Sequence, residues 1–554
     1  MGGRAPPAIA RTSRLSALHF QTGFRRVLED LPREGAVGRM KKRHVSLAAF
    51  AASIALVGLL ACSGRVPRAP EPSTLARRPN ILLMISDDQS WAYTGAVTDP
   101  VYRTPAIDAL ADEGVLFSHA FAVCPLCSPS RAAILTGQPV WRLKEAANQA
   151  GPLDVEFNCY TDFLQVSGYR VGYTGKGWEP GVVALTSRSG NPAGDEFNHF
   201  GKWSSVPNFE EFLDSLPEDT PFCFWWGSHY PHRPFEASLS REEKELVDRA
   251  EIAPIWPRAP SVLGDIARYV RDVQNFDGEV GRAFEILEAR GLLDNTIIVV
   301  TSDNGMPFPR AKANLYDLGT RVPLVIWWKG HAPGGRVIDD FVPLTDLAPT
   351  FLEAAGRVPP RGMTGSSLMP LLRSDRSGRV DVTRDFVVTA RERHANSRAG
   401  TLGYPSRAIR TYDYLYIRNY EPDRWPAGDP PDYGDVDSWD LSYTSPTKEH
   451  MMNNANDAAV RPFFNLCFEK RPAEELYDLR SDTFEVTNVL AAPPPEARKS
   501  SADYEAIRKQ LSDLLDRYLK QTGDPRATGE KPPWDAYPFV MPGPPAEADT
   551  LLGW

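Results

Sequence analysis

Apolar residues run without interruption at 80–86, Asn-Ile-Leu-Leu-Met-Ile-Ser, and at 295–301, Asn-Thr-Ile-Ile-Val-Val-Thr. Two further runs lie at 222–227 and 324–328. Apolar stretches of this length without polar alternation suit strands of a parallel sheet covered on both faces. Between them, residues 265–289 place apolar side chains three and four apart, which predicts an amphipathic helix. Alternating strands and helices predict an α/β sheet. From about residue 376 the pattern changes. Short strands are expected at 385–390, 408–410 and 414–419, then a helix at 503–521, which together describe a smaller C-terminal α+β domain spanning 376–554. No internal repeat is visible, and the Pro-rich tail after Gly523 is expected to wrap the surface.

The N-terminal pattern differs from all of this. Met40, Lys41, Lys42, Arg43 and His44 precede an apolar stretch at 45–60, followed by Ala61, Cys62, Ser63 and Gly64. A basic start, a short apolar core and small exit residues describe an export signal. The run is short for a membrane span, which needs about 20 residues. Leu59-Leu60-Ala61-Cys62 resembles a bacterial lipobox, which implies cleavage before Cys62 and lipidation of its thiol. Acyl chains would then anchor the protein to a membrane without a spanning helix, facing the periplasm or the cell surface. Residues 1–39 are expected to lie upstream of the true start, 40–61 to be the signal peptide and 62–78 a tether.

Composition narrows the class. Of 554 residues, 42% are hydrophobic and 24% charged, as in a folded globular chain. The 50 prolines have no Gly-X-Y period, which excludes collagen and predicts long ordered loops. A net charge of −9 argues against nucleic acid as a partner. Six cysteines are too few for a disulfide scaffold.

Candidate chemistry sits where two of the apolar runs end. The first leads into Asp87-Asp88-Gln89 and the second into Asp303-Asn304-Gly305. Ligands of open α/β sheets collect at the carboxyl ends of strands. Three carboxylates and an amide oxygen suit Ca²⁺ or Mg²⁺ rather than zinc. An Asp-Asp pair after a strand equally suits a turn or a helix cap. A third segment, Cys127-Ser128-Pro129-Ser130-Arg131-Ala132-Ala133-Ile134-Leu135-Thr136-Gly137, predicts a short helix with Ser128 as N-cap, Pro129 at N1 and an end before Gly137. Cys127 would lie at the helix N-terminus, which favours anions, with Arg131 a turn away. For a lone cysteine, a small buried side chain before a capped helix would be the simpler reading.

Cys-Ser-Pro-Ser-Arg-x-x-x-Leu-Thr-Gly resembles the signature of the sulfatase family, in the alkaline phosphatase superfamily. The resemblance implies a large mixed sheet flanked by helices, a catalytic domain at 79–375, and oxidation of Cys127 to Cα-formylglycine by a formylglycine-generating enzyme. It also implies that Asp87, Asp88, Asp303 and Asn304 hold Ca²⁺, with the residue-127 side chain completing the shell. Residues 104–110 (Thr-Pro-Ala-Ile-Asp-Ala-Leu) and 475–479 (Glu-Leu-Tyr-Asp-Leu) match two further pieces of the family in the same order. Position by position, Lys176 matches a sulfate-binding lysine and His232 an active-site histidine that serves as acid for the leaving group. Lys312 stands where the family keeps a basic residue on the leaving-group oxygen. Arg131 adds positive charge around the anion. Trp178 replaces an expected histidine, so the base that regenerates the aldehyde must differ; Glu179 or water is the candidate. Trp178 at a pocket edge would stack on a sugar, and His229 is a candidate substrate contact or a structural loop histidine.

Residues 302–309, Pro231-His232-Arg233 and Asn314-Leu315-Tyr316 resemble the subfamily that cleaves N-sulfate from heparan. The implied activity is hydrolysis of sulfate esters or N-sulfate on a sulfated glycan. The rivals are a phosphonate or phosphate ester hydrolase of the same superfamily and a non-catalytic lipoprotein that binds sulfated glycans. Arg391, Glu392, Arg393 and His394 follow a C-terminal strand and suit either a substrate pocket, with Arg391 and His394 as contacts, or an exposed charged loop.

Overall fold

The computed structural model describes residues 77–97, 102–235, 238, 252–435, 445–491 and 499–540. The signal segment, Cys62 and its tether up to residue 76, and the last stretch of the tail lie outside the described residues. Eight strands form the main sheet: β1 (Asn80–Ser86), β2 (Val115–Phe121), β3 (Arg170–Gly175), β4 (Asp195–Glu196), β5 (Phe222–Gly227), β6 (Thr296–Ser302), β7 (Leu324–Trp327) and β8 (Arg336–Pro343). Their order is β4-β3-β5-β1-β6-β7-β2-β8. The five strands from β4 to β6 run parallel. β7 is antiparallel to both neighbours, which makes the sheet mixed. Every residue of β1, β5, β6 and β7 is buried, as uninterrupted apolar strands require.

Helices cover the faces. α1 (Pro105–Glu113) and α3 (Pro260–Ala289) pack with Leu82, Met84, Phe224, Trp226, Ile298 and Val300 on one side. α3 begins earlier than the 265–289 pattern suggests, because Pro260 supplies the helix start. α2 (Cys127–Thr136) is different: all ten of its residues are buried, so it has no solvent face.

The second sheet is antiparallel, ordered β12-β11-β10-β9, from β9 (Phe386–Arg391), β10 (Ser406–Thr411), β11 (Tyr414–Asn419) and β12 (Glu474–Asp478). α4 (Ser501–Gln521) packs Leu511, Leu515 and Leu519 into the same cluster as Val388, Ile409 and Tyr416. That cluster also takes in Leu126 and Ala133 of the α2 region, so the C-terminal layer backs α2. The tail does more than wrap: Trp534 is buried and its Nε1 donates to the Lys144 carbonyl at 3.1 Å. Among the described residues no helix is long and apolar enough to cross a membrane.

Candidate active site

Register builds the site. Ser86 of β1 faces Ser302 of β6, so Asp87-Asp88 and Asp303-Asn304 leave the sheet side by side. Asp303 Oδ1 then accepts from the backbone N–H of Asp88 (3.0 Å) and of Asn304 (2.8 Å). Asp88 adopts φ 71°, a conformation that costs a non-glycine residue about 1 kcal/mol and marks a constrained site. β3 and β5, the next strands across, deliver Lys176 and the loop carrying His229 and His232. Their ends touch because two glycines allow it. A Cβ on Gly227 would lie 1.8 Å from the Lys176 carbonyl oxygen, and one on Gly175 would lie 2.0 Å from the Gly227 oxygen.

α2 brings Cys127 to the same place. The helix starts at Cys127, two residues earlier than the sequence suggests, with Leu126 as N-cap. Ser128 is therefore not the cap. Its Oγ accepts from the Ala150 N–H (2.8 Å) and so ties the helix to a neighbouring loop. Pro129 becomes the third helical residue, where its missing N–H is still no loss. Gly137 ends the helix at φ 61°. Cys127 Sγ lies 3.8 Å from Asp87 Oδ1 and 3.9 Å from Asp88 Oδ1.

Three carboxylates face three cations. Lys176 Nζ reaches both oxygens of Asp87 (2.7 and 2.6 Å). Lys312 Nζ reaches Asp88 Oδ2 at 2.7 Å, and Arg131 Nε reaches Asp303 Oδ2 at 2.8 Å. Arg131 Nη1 donates to the carbonyls of Lys176 (2.5 Å) and Gly177 (2.9 Å), so this guanidinium locks the loop that bears Lys176. Burial alone would raise the pKa of Asp87, but Lys176, His232, Arg131 and Lys312 outweigh it and hold the carboxyl well below the usual range. Burial pushes Asp303 up to about 6 against the pull of Arg131. Burial likewise pushes the Cys127 thiol up to about 11, so at neutral pH it is a protonated, weak nucleophile.

The donor set fits a hard divalent cation. Ligand atoms of Asp87, Cys127 and Asp303 lie within 4.8 Å of one another. Asn304 Nδ2 donates to Asp88 Oδ1 (2.7 Å), while its Oδ1 is buried and accepts no hydrogen bond. An orphaned amide oxygen beside three carboxylates is chemically suited to Ca²⁺ or Mg²⁺.

His232 Nδ1 lies 2.5 Å from the Arg233 carbonyl, which can only accept, so Nδ1 carries hydrogen and Nε2 faces Asp88 Oδ2 at 3.8 Å. Burial lowers the pKa of His232. Arg233 is held by a two-pronged ion pair with Asp265 (2.8 and 2.9 Å), which fixes this loop on α3. His229 is buried and stacked against Trp203, and its Nε2 has no hydrogen-bond partner. Burial presses its pKa to about 3, so its ring is neutral. Neither Trp203 nor Asp265 stands in a motif that reading the sequence would single out; Asp265 shows only as the start of the periodic stretch 265–289.

Trp178 differs from expectation. It is 0% exposed, and its ring is wedged so tightly that a Cβ on Gly181 would come within 2.3 Å of Cε2. A ring with no free face cannot stack on a sugar, so Trp178 is a packing residue. Glu179 Oε1 accepts from Asn191 Nδ2 (3.0 Å), and its Oε2 is buried without a hydrogen-bond partner. The segment 391–394 is not an exposed charged loop either. Arg391 forms an ion pair with Asp435, which also takes Arg398 Nη2 (2.6 Å), and His394 Nδ1 lies 3.3 Å from the same carboxylate. Arg393 and Glu392 are also buried, Glu392 pairing with Arg407 (2.7 Å) and Arg526 (2.7 Å).

This fold and this ring of cations around a metal-ready cluster define a hydrolase of anionic esters. The family model described as Sulfatase matches residues 79–357, and the chain belongs to the sulfatase family. It is thus a sulfuric ester or sulfamate hydrolase. A second model, N-sulphoglucosamine sulphohydrolase, C-terminal, matches residues 310–429. The chain is 26% identical to the ulvan-active sulfatase of Formosa agariphila over 465 residues, 82% of each chain. It is 26% identical to human N-sulphoglucosamine sulphohydrolase over 494 residues, covering 81% of this chain and 91% of that one. Among solved structures, a protein in complex with its substrate D-glucosamine-2-N,6-O-disulfate superposes with a TM-score of 0.56 at 20% identity, covering 82% of this chain and all of the other. The phosphonate monoester hydrolase of Agrobacterium radiobacter has the same TM-score, 0.56, at 19% identity, covering 81% of this chain and 97% of the other. The fold is thus common to both kinds of ester.

Proposed function

We propose that the protein removes sulfate from a sulfated glycan, as an ester or an N-sulfate, using formylglycine at position 127 and one Ca²⁺. The observation that supports this most is the convergence of Asp87, Asp88, Asp303 and Asn304 with Cys127 at the N-terminus of α2. The two sulfated-glycan enzymes among the relatives support the substrate class.

As formylglycine, residue 127 supplies an aldehyde hydrate, a nucleophile that avoids a stable sulfated adduct. Calcium held by Asp87, Asp88, Asp303 and Asn304 supplies charge for the sulfate oxygens. The rest is the work of this chain's side chains. Lys176 and Lys312 place two ammonium groups over the anion and offset its charge among largely buried side chains. Arg131 positions Asp303 and the Lys176 backbone rather than touching substrate. His232, once protonated to the imidazolium, passes a proton from Nε2 to the departing oxygen or nitrogen. The proton released when the aldehyde reforms goes to Glu179 or to water.

The test is mass spectrometry of the Cys127 peptide from protein made with a formylglycine-generating enzyme, paired with turnover on sulfated glycans and a phosphate-ester control. An aldehyde at 127 and glycan desulfation that Cys127→Ala abolishes are expected. Wild-type turnover by the Ala variant would overturn the mechanism. We also propose lipidation at Cys62 and a location outside the cytoplasm, with the lipobox resemblance as support; Cys62→Ser should move the protein from the membrane to the soluble fraction, and unchanged attachment would contradict it.

A further inference from the structure

Trp203 lies in the segment between β4 and the helix Ser205–Asp214, and 51% of it is exposed. The other large indoles near the sheet, Trp178, Trp225 and Trp226, are fully buried. One face of Trp203 rests on His229, with ring centroids 4.5 Å apart and planes at 37°. Tyr230 meets it edge-on at 5.7 Å. These two residues belong to the loop that carries His232, and the Tyr230 carbonyl accepts the Asp87 N–H at 2.9 Å. The carbonyl oxygen of the preceding residue, Lys202, stands 3.5 Å from where a Cβ on Gly175, the last residue of β3, would be. The indole thus rests on the loop after β5, and the backbone just before it lies at the end of β3 that leads into Lys176. An exposed indole held rigid against the active-site loop is an unusual use of apolar surface.

A pyranose ring presents a face of C–H groups that packs on an aromatic ring, while its hydroxyls stay free for polar contacts. We propose that Trp203 is the platform on which the substrate's sugar ring stacks, with His229 as the positioning residue that fixes the indole from below. This rests on the glycan-sulfatase reading above and deepens it: recognition of the sugar is separate from recognition of the sulfate. Lys176 and Lys312 bind the anion, and Trp203 binds the ring that carries it or the ring next to it. Rigid aromatic area binds at low entropic cost, because an indole has only two side-chain torsions to fix.

The test uses the full-length enzyme with heparan and ulvan oligosaccharides, taking whichever fragment wild type desulfates faster, and inorganic sulfate as a competitive inhibitor. Trp203→Ala is expected to raise KM for the oligosaccharide about three- to tenfold with kcat within about twofold of wild type. The inhibition constant for inorganic sulfate should stay unchanged, since sulfate has no ring to stack. Trp203→Phe should restore most of the lost KM. A KM equal to wild type, or KM and sulfate inhibition worsening together, would overturn the platform; the second result would show a structural role. Wild type that cleaves 4-nitrophenyl sulfate yet no oligosaccharide would overturn the platform and leave the sulfatase reading standing. Wild type that cleaves neither and is not inhibited by sulfate would overturn the parent reading instead.

Discussion

Gly227→Ala tests whether the contact between β3 and β5 positions the chemistry. The added Cβ would lie 1.8 Å from the Lys176 carbonyl oxygen, 2.5 Å from its carbonyl carbon and 3.0 Å from its nitrogen. All three are backbone atoms, so no rotamer change relieves the clash. Reaching a tolerable separation of about 3 Å needs a backbone shift of about 1.2 Å. The oxygen that must move also accepts from Arg131 Nη1 (2.5 Å) and from Trp225 Nε1 (3.1 Å). Moving it strains both bonds and carries Lys176 Nζ away from Asp87. Overpacking of this kind costs about 1–3 kcal/mol of stability. A misplacement of about 1 Å in a reacting constellation costs on the order of 100-fold in rate. The assay is urea unfolding together with kcat/KM on a sulfated substrate. Gly278→Ala on α3 is the control: nothing lies within 4 Å of its Cβ, and alanine in a helix interior should stabilise by up to about 1 kcal/mol. A Gly227→Ala enzyme with wild-type stability and rate would refute the claim that this glycine sets the position of Lys176.

Two other perturbations bear on charge. Ca²⁺ is expected to raise the melting temperature of the wild type in a thermal-shift series, and Asp303→Ala should leave Arg131 without its carboxylate, abolish turnover and remove that rise; an unchanged calcium response would disprove the ligand assignment. Asp435 is held well below the usual carboxylate range: burial would raise its pKa, but Arg391 and Arg398 outweigh it. Because its folded pKa is depressed, its contribution is full above the unfolded value of about 4 and is lost as pH falls through the folded one. Asp435→Ala should cost about 3–5 kcal/mol at pH 7 by stranding two buried guanidinium groups, and the loss should shrink towards pH 3; a pH-independent difference in unfolding free energy would contradict the ion-pair account.

Much of the sheet is legible because burial on both faces leaves a plain mark. β1, β5, β6 and β7 show as apolar runs, and the carboxylates after β1 and β6 stand where a ligand site of such a sheet belongs. β11 is readable to the residue. The strands that escape the pattern have reasons to. β3 carries Gly172 and Gly175 where neighbours press close, which breaks its apolar run. β2 exposes Ser118 and His119 in part, and β8 carries Asp339 and Asp340, Asp340 being buried to accept the N–H groups of Val380 and Asp381. Ser128 looks like a cap, but the helix start is set by Leu126 in extended conformation, which side-chain chemistry does not announce. The family motif places Trp178 at the pocket, yet whether an indole points in or packs down depends on Gly181 beneath it. Arg391 and His394 read as substrate contacts or as a charged loop because their partner, Asp435, lies more than forty residues away. Trp203 gains meaning only from the ring it rests on.

Helix α2 has no outward face, and Cys127 is 1% exposed. On the formylglycine reading proposed above, the maturing enzyme must enclose this side chain and its backbone in its own pocket, and in the folded protein the whole of α2 around it is buried. Leu126 and Ala133, on either side of it, pack in one cluster with residues of α4 and with Trp534, which are translated long after residue 127. On that reading, chemical maturation and folding would be in a race. The interval between synthesis of residue 127 and docking of the C-terminal layer would be the time when the cysteine is open to processing, and a chain that folds first would keep an unmodified thiol. Slower closure would then raise the fraction of active molecules at no change in the final structure, so that timing as well as sequence would set the yield of working enzyme.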